Sequence, residues 1–155
     1  QSQALFRIGG TELVTQLIQG TFPNYSQIIP PSYDTRVTVN LGEFHRATRA
    51  ASIFARDVSG IVRIQVLEGE DQAPGRVSIQ SRAEEVGENL GEIEAKVEGG
   101  ESKIAFNSQY LSEVLGILEQ GEVALETTTP SSPGVLRPVG KENYIHVIMP
   151  MFVQW

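Results

Sequence analysis

The sequence contains no cysteine and only two histidines among its 155 residues. The absence of cysteine excludes disulfide bonds, thiolate metal ligands and a thiol nucleophile, and it suits a reducing compartment, so we expect a cytoplasmic protein. The histidines, His45 and His146, lie far apart in the chain, and no carboxylates accompany them at the spacing of a metal site. We therefore expect no metal and no other cofactor.

Long apolar runs and an excess of positive charge are also missing. No run reaches the roughly 20 apolar residues of a membrane-spanning helix, so we expect no membrane partner. The sequence has 12 Lys and Arg against 19 Asp and Glu, a net charge of −7. This balance favours solubility and argues against a protein that grips nucleic acid over its whole surface. The start, Gln1-Ser2-Gln3, has no basic segment and no initiator methionine, which predicts a piece of a longer protein.

Motifs for catalysis are absent as well. Gly9-Gly10 and Gly99-Gly100 are not followed by a helix that begins with Lys and Ser or Thr, so they predict turns rather than phosphate-binding loops. Ser131-Ser132 lies in a turn-like segment without a base that would activate a hydroxyl. His146 lies in a strand-like segment, where a structural role is more common than general base catalysis. The sequence predicts a protein that is not an enzyme.

What the sequence does contain is one structural plan that occurs twice from about residue 35. Each copy is predicted as a strand, a helix opened by an asparagine N-cap (Asn40 or Asn107), and three further strands. The first copy comprises residues 36–39, 41–54, 61–67, 76–83 and 91–97, and the second comprises residues 102–106, 108–120, 123–128, 135–138 and 144–149. Two such copies predict an α+β domain in which both helices pack side by side on one face of a mostly antiparallel sheet.

The residues before this domain predict a separate unit. Residues 4–8 and 12–18 are strand-like and are joined at Gly9-Gly10-Thr11, which indicates a hairpin. Prolines then interrupt residues 19–31, which predicts a linker. A hairpin alone is marginally stable, so it either joins the sheet of the following domain or is the edge of a preceding one.

The C-terminal segment is apolar to its last residue. Residues 144–149 are β-branched and apolar on both faces, which favours a strand inside the sheet rather than at its edge. Pro150 has no N–H and ends that strand. Two interpretations of the remaining tail stay open. It packs on its own domain, or Met149, Pro150 and Met151 form the wall of a peptide-binding groove, since methionine adapts to varied apolar partners.

Several segments together resemble one family. They are the two strand–helix units at residues 37–54 and 103–118, the linker 21–25, the sequence Phe-Asn-Ser-Gln-Tyr at 106–110, and the terminal residues 147–151. They resemble the C-terminal part of the bacterial sliding clamp, the beta subunit of DNA polymerase III. The resemblance covers the whole chain: residues 1–24 match the end of the second clamp domain with its linker, and residues 25–155 match the third. Gln27 stands where the family commonly has arginine, and the tail beyond Met151 is longer and more apolar.

The resemblance implies a DNA polymerase processivity factor with the clamp fold. Two head-to-tail protomers close a homodimeric ring around duplex DNA, and the ring tethers the polymerase. DNA polymerase and clamp loader subunits dock linear peptides rich in Gln, Leu and Phe into a groove. By position, the groove residues are Pro23, Gln27, Ile28, Asn107, Tyr110, Pro133, Val147, Met149, Pro150 and Met151. The ring contact is expected at Ile53 and Phe54.

Three arginines support a surface that faces DNA. Arg46, Arg49 and Arg56 recur on one side of the first predicted helix and give it a positive stripe in an acidic protein. An ordinary solvated helix face is the alternative interpretation. A mobile ring needs few phosphate contacts, because these contacts set affinity and its salt dependence. A peptide-binding scaffold domain without a DNA role fits the composition and the apolar tail equally well.

Overall fold

The computed structural model describes residues 2–55, 59–69, 73–83 and 87–155. Within these ranges the elements are β1 Gln3–Ile8, β2 Thr11–Gln16, a 3-10 helix Tyr25–Gln27, β3 Thr35–Asn40, α1 Leu41–Ala55, β4 Ile61–Leu67, β5 Gly75–Ala83, β6 Gly87–Gly99, β7 Ser102–Asn107, α2 Ser108–Ile117, β8 Glu122–Thr127, β9 Gly134–Pro138 and β10 His146–Ile148. The predicted α+β class is confirmed, and so is the repeated order of one strand, one helix and three strands.

Eight of these strands form one sheet in the order β10-β9-β8-β3-β6-β5-β4-β7, and every pairing in it is antiparallel. The first strand of each copy pairs with a strand of the other copy. β3 of the first copy pairs with β8 of the second, while β7 of the second pairs with β4 of the first. Val37 in β3 lies opposite both Val97 and Leu125. These pairings join the two copies into one sheet and one core.

Both helices begin where the asparagine caps predict. The Asn40 side chain accepts a hydrogen bond from the Glu43 amide at 3.1 Å, and the Asn107 side chain accepts from Gln109 and Tyr110 at 2.9 and 3.2 Å. These bonds satisfy amides that the first turn of a helix leaves without a partner.

The core lies between the two helices and the sheet. Its largest fully buried side chains include Phe44, Phe106, Ile64, Ile79, Ile104, Leu111 and Leu115. Burying each such side chain stabilises the fold by about 1.5–3 kcal/mol. Gly116 of α2 lies against His45 of α1, so the small residue lets the two helices approach closely.

The prediction for the last strand is wrong in position and length. β10 comprises only three residues, pairs with β9 alone among the described strands, and forms an edge of the sheet. Pro150 has no N–H for further pairing, and the chain beyond it crosses to the other edge strand, where the Met151 amide donates to the Ala105 carbonyl oxygen of β7 at 2.8 Å. The apolar residues that suggested an interior strand therefore belong to an edge strand and to a tail that connects the two edges of the sheet.

The predicted hairpin forms as a two-stranded sheet of its own, with Leu5 opposite Val14. Most of its apolar side chains are exposed, and Ile18, which follows it, is 99% exposed. Between β2 and β3 the 3-10 helix Tyr25–Gln27 is the regular element that the structure describes, and the linker stays a prediction.

Gly134 in β9 offers a test of core packing. A Cβ at this position would collide with the Phe106 ring, whereas a Cβ at Gly91 in β6 would meet the Ala47 Cβ at 3.5 Å, an ordinary contact. We expect Gly134→Ala to lower the free energy of unfolding by about 1–3 kcal/mol, because the core cannot accept extra volume there. Gly91→Ala should change it by about 0.5 kcal/mol or less. Urea unfolding of both variants measures the difference, and equal stabilities would contradict the packing at Gly134.

Candidate functional site

The expected groove residues near the C-terminus lie on β10 and on the segment that follows it. Val147 pairs with Val135 across the β9–β10 edge, and Ile148 pairs with Gly134, the neighbour of Pro133. Met149 is 61% exposed, while Pro150 and Met151 are half-buried. The structure thus brings Pro133 and Val147 to neighbouring strands and leaves an accessible apolar segment immediately after them.

A second pair of expected groove residues lies where β7 passes into α2. The Met151 amide bonds to Ala105, two residues before Asn107. The Asn107 side chain accepts from the Tyr110 amide, and the Tyr110 side chain is 62% exposed. The 149–151 segment therefore connects the β9–β10 edge to the start of α2, and an exposed aromatic ring stands at that start.

The remaining expected groove residues, Pro23, Gln27 and Ile28, lie in the exposed segment around the 3-10 helix. The backbone hydrogen bonds of this segment are local. The Gln27 amide donates to the Asn24 carbonyl oxygen at 3.2 Å, and the Ile28 amide donates to the Tyr25 carbonyl oxygen at 3.0 Å. In the described part of the chain, no hydrogen bond joins these three residues to the C-terminal ones. Their place in one groove stays a prediction.

The arginine stripe on α1 is partly offset by acidic neighbours. Arg46 and Arg49 are exposed, as predicted, and Arg56 lies outside the described residues. Arg46 lines a cavity together with Glu43, Glu92 and Glu94. Negative charge close to Arg46 weakens the attraction that this face exerts on phosphate.

The expected ring-contact residues lie near the C-terminal end of α1. Ile53 is 67% exposed and Phe54 is half-buried. Two adjacent apolar side chains at the surface of a helix end suit a contact with another protein surface.

Both histidines contact neighbouring side chains in a way that suits a structural role. The Ser112 hydroxyl lies 3.4 Å from His45 Nε2, and the His146 ring stacks on Tyr144 with ring centres 6.5 Å apart. Burial lowers the pKa of His45, as does the positive charge of Arg49, and burial also lowers the pKa of His146. Among the described residues, His, Asp and Glu side chains nowhere gather in groups of three that would hold a metal ion. None of the helices in the described ranges is long and apolar enough to cross a membrane.

Two charged features were missed from the sequence. Glu126 of β8 is nearly buried and pairs with Arg137 of β9 at 3.0 Å and with Arg36 of β3 at 3.8 Å. Arg63 of β4 and Arg82 of β5 line one cavity beside the C-terminal tail. The signal for each was a charged residue inside a strand-like apolar run, but only the sheet order shows which charges meet.

The lowered histidine pKa values predict how stability depends on pH. As pH falls below about 6.5, the ordinary histidine value, the unfolded chain takes up protons that the folded chain resists, so stability falls. We expect His45→Gln to lose less stability than the parent between about pH 7.5 and about pH 5.5. Urea unfolding at both pH values measures this loss. The double variant with His146→Gln should lose least, and identical losses in all three proteins would contradict the prediction.

Comparison with known proteins identifies the family of this chain. Residues 26–152 match the family model of the DNA polymerase III beta subunit, C-terminal domain. The beta sliding clamp of Staphylococcus aureus is 31% identical over 151 residues, which are 97% of this chain and 39% of that protein.

Solved structures show the same fold. A DNA polymerase sliding clamp from Bacillus subtilis superposes with a TM-score of 0.84 at 26% identity over 99% of this chain and 40% of the other. The DNA polymerase III subunit beta from Pseudomonas aeruginosa, at 24% identity, superposes with a TM-score of 0.86 over the same shares. The chain thus spans about two fifths of the length of these relatives. The chain belongs to the family of the DNA polymerase III beta subunit, C-terminal domain.

Proposed function

We propose that the protein to which this chain belongs is a processivity clamp for a replicative DNA polymerase. In this proposal a head-to-tail homodimeric ring encircles duplex DNA without sequence specificity in the cytoplasm, and the ring itself catalyses no reaction. The carrying observation is that residues 26–152 match the beta subunit's C-terminal domain, while relatives that align over 97% of the chain are beta sliding clamps. The ring needs parts of the protein beyond this chain, since the chain spans 39% of the relative's length.

In the proposed ring, residues 25–155 form the third clamp domain and residues 1–24 belong to the second domain and its linker. The separate two-stranded sheet of the hairpin and its exposed apolar side chains support this division, because such a hairpin needs a further surface for stability. Ile53 and Phe54 would form this domain's side of the contact between protomers. Heterologous contacts of this kind close a ring only when each protomer supplies both surfaces.

The groove is proposed to bind linear peptides of polymerase and clamp loader subunits. The apolar segment 149–151 between the β9–β10 edge and Tyr110 supports this role, since exposed apolar surface of this kind marks interaction sites. Leu and Phe side chains of a partner would pack against Val147, Met149 and Met151. Pro23, Gln27 and Ile28 would complete the wall from the linker side. Two or three buried anchors, after the cost of ordering the peptide, give roughly micromolar affinity.

Met151→Ala tests the groove. The change keeps the amide that bonds to Ala105 and removes the thioether side chain, which lies beyond β10. We expect a peptide of the Gln-Leu-Phe type to bind about tenfold more weakly, which corresponds to about 1.4 kcal/mol. Isothermal titration calorimetry measures the affinity, and the melting temperature should stay nearly unchanged.

Ile117→Ala is the matched control, because this exposed apolar residue of α2 is not an expected groove residue. Its affinity for the peptide should equal that of the parent. If Met151→Ala also binds like the parent, the tail only packs on its own domain and the groove proposal fails.

The DNA role predicts weak, salt-sensitive binding by this chain alone. It carries few basic residues on α1 and cannot encircle a duplex, so we expect binding to disappear near physiological salt. At low salt, nuclear magnetic resonance titration with a duplex oligonucleotide should shift the signals of Arg46 and Arg49. The signal of Lys141, which pairs with Glu119 at 3.1 Å, should not move. Nanomolar binding at physiological salt, or shifts confined to other surfaces, would contradict the proposal.

A further inference from the structure

We infer that a cavity on the face of β4 and β5 away from the helices binds an acidic peptide segment of a partner protein. Arg63 alternates with the buried residues Val62 and Ile64, so its side chain lies on the face opposite the core. The cavity has a volume of about 490 Å³, and its lining includes Ser59, Arg63, Gln80, Arg82, Phe152 and Val153. It lies outside the expected groove residues, and the inference does not depend on the clamp role.

The charge of this cavity differs from that of the chain as a whole. The sequence has more acidic than basic residues, yet the described lining holds two arginines and no carboxylate. Uncharged donors accompany the arginines. Ser59 Oγ accepts a hydrogen bond from the Ile61 amide at 3.3 Å, and its hydroxyl can also donate one. Gln80 adds an amide group. The cavity therefore attracts an anionic ligand that accepts several hydrogen bonds.

Arg63 keeps a donor that the described residues do not satisfy. Its Nη2 donates to the Gln154 carbonyl oxygen at 3.2 Å, whereas its Nε is buried and has no hydrogen-bond partner among them. A carboxylate matches the planar fork of a guanidinium with two parallel hydrogen bonds, which makes it a better acceptor than a single carbonyl oxygen. A ligand carboxylate would therefore compete with Gln154 for Arg63 and move the tail.

Phe152, Val153 and Ile61 form an apolar wall of this cavity, and this wall indicates the class of ligand. Phe152 is 89% exposed, and it lines the same cavity as Val153 and Ile61. A free phosphate or the phosphate of a nucleic acid backbone would leave this wall unused. An acidic side chain next to an aromatic or aliphatic one in a peptide would use both the guanidinium groups and the wall.

A capped peptide that contains Asp-Glu-Phe, with Asn-Gln-Phe as its neutral counterpart, tests this site. Trp155 is the only tryptophan in the sequence, follows Gln154 directly and lies with its ring centre 6.0 Å from Lys103 Nζ. Its fluorescence should therefore change when the acidic peptide displaces Gln154. We expect the parent protein to bind the acidic peptide at least about tenfold more tightly than the neutral one, and to bind it more weakly as salt rises.

Arg82→Gln should lower the affinity for the acidic peptide by about tenfold, because it removes one guanidinium from an exposed position. Arg76→Gln is the matched control. It removes the same charge from the same strand, but Arg76 pairs with Glu92 at 3.5 Å and does not line the cavity. Its affinity should equal that of the parent.

Three results would overturn the inference: equal binding of the two peptides, unchanged binding by Arg82→Gln, or displacement of the peptide by a duplex oligonucleotide. A Gln-Leu-Phe peptide titrated into Arg82→Gln separates this site from the groove. Parental affinity of Arg82→Gln for that peptide would show that the groove is intact in the variant. If the parent protein binds the Gln-Leu-Phe peptide but not the acidic one, this inference fails and the proposed function stands.

Discussion

The pairing of β3 with strands from both copies is the constraint on which the rest of the structure depends. Val37 lies opposite Val97 on one side and Leu125 on the other, so β3 holds the two halves of the sheet together. Both helices then cover the same continuous face. Because the first strand of each copy pairs with a strand of the other copy, the two copies share one core. A change that weakens β3 would therefore affect both halves at once.

At the two ends of the sheet, the C-terminal tail follows one edge strand, β10, and bonds to the other, β7. An exposed edge presents unpaired amides and carbonyls to other chains. β10 ends at Ile148, and Pro150 has no N–H that could continue the pairing. The amide of the residue after it, Met151, donates a hydrogen bond to the edge strand β7. The same path leaves Met149 exposed at the surface and places Phe152 in the lining of the cavity that also contains Arg63. One structural feature thus supports both proposed binding surfaces.

Two parts of the surface differ in the charges that surround their arginines. On α1, Arg46 has glutamates close by, which weakens the attraction that this face exerts on phosphate. Beside the tail, Arg63 and Arg82 meet no described carboxylate in their cavity, which suits a ligand that is held by specific hydrogen bonds. The net charge of −7 shows neither feature, because it is a sum over separate surfaces.

The sequence by itself determined the repeated plan, the starts of both helices and the fold class. These depend on neighbours along the chain, such as the asparagine side chains that cap the first turns and the spacing of apolar residues. The family resemblance, carried by residues 106–110 and 147–151, was visible there too and named the expected groove residues. Only the tertiary structure decided that β10 is an edge strand, that Met151 bonds to Ala105, and that Arg63 and Arg82 share a cavity. Strand order and the meeting of distant side chains depend on contacts across the sheet, and no local pattern in the chain encodes them.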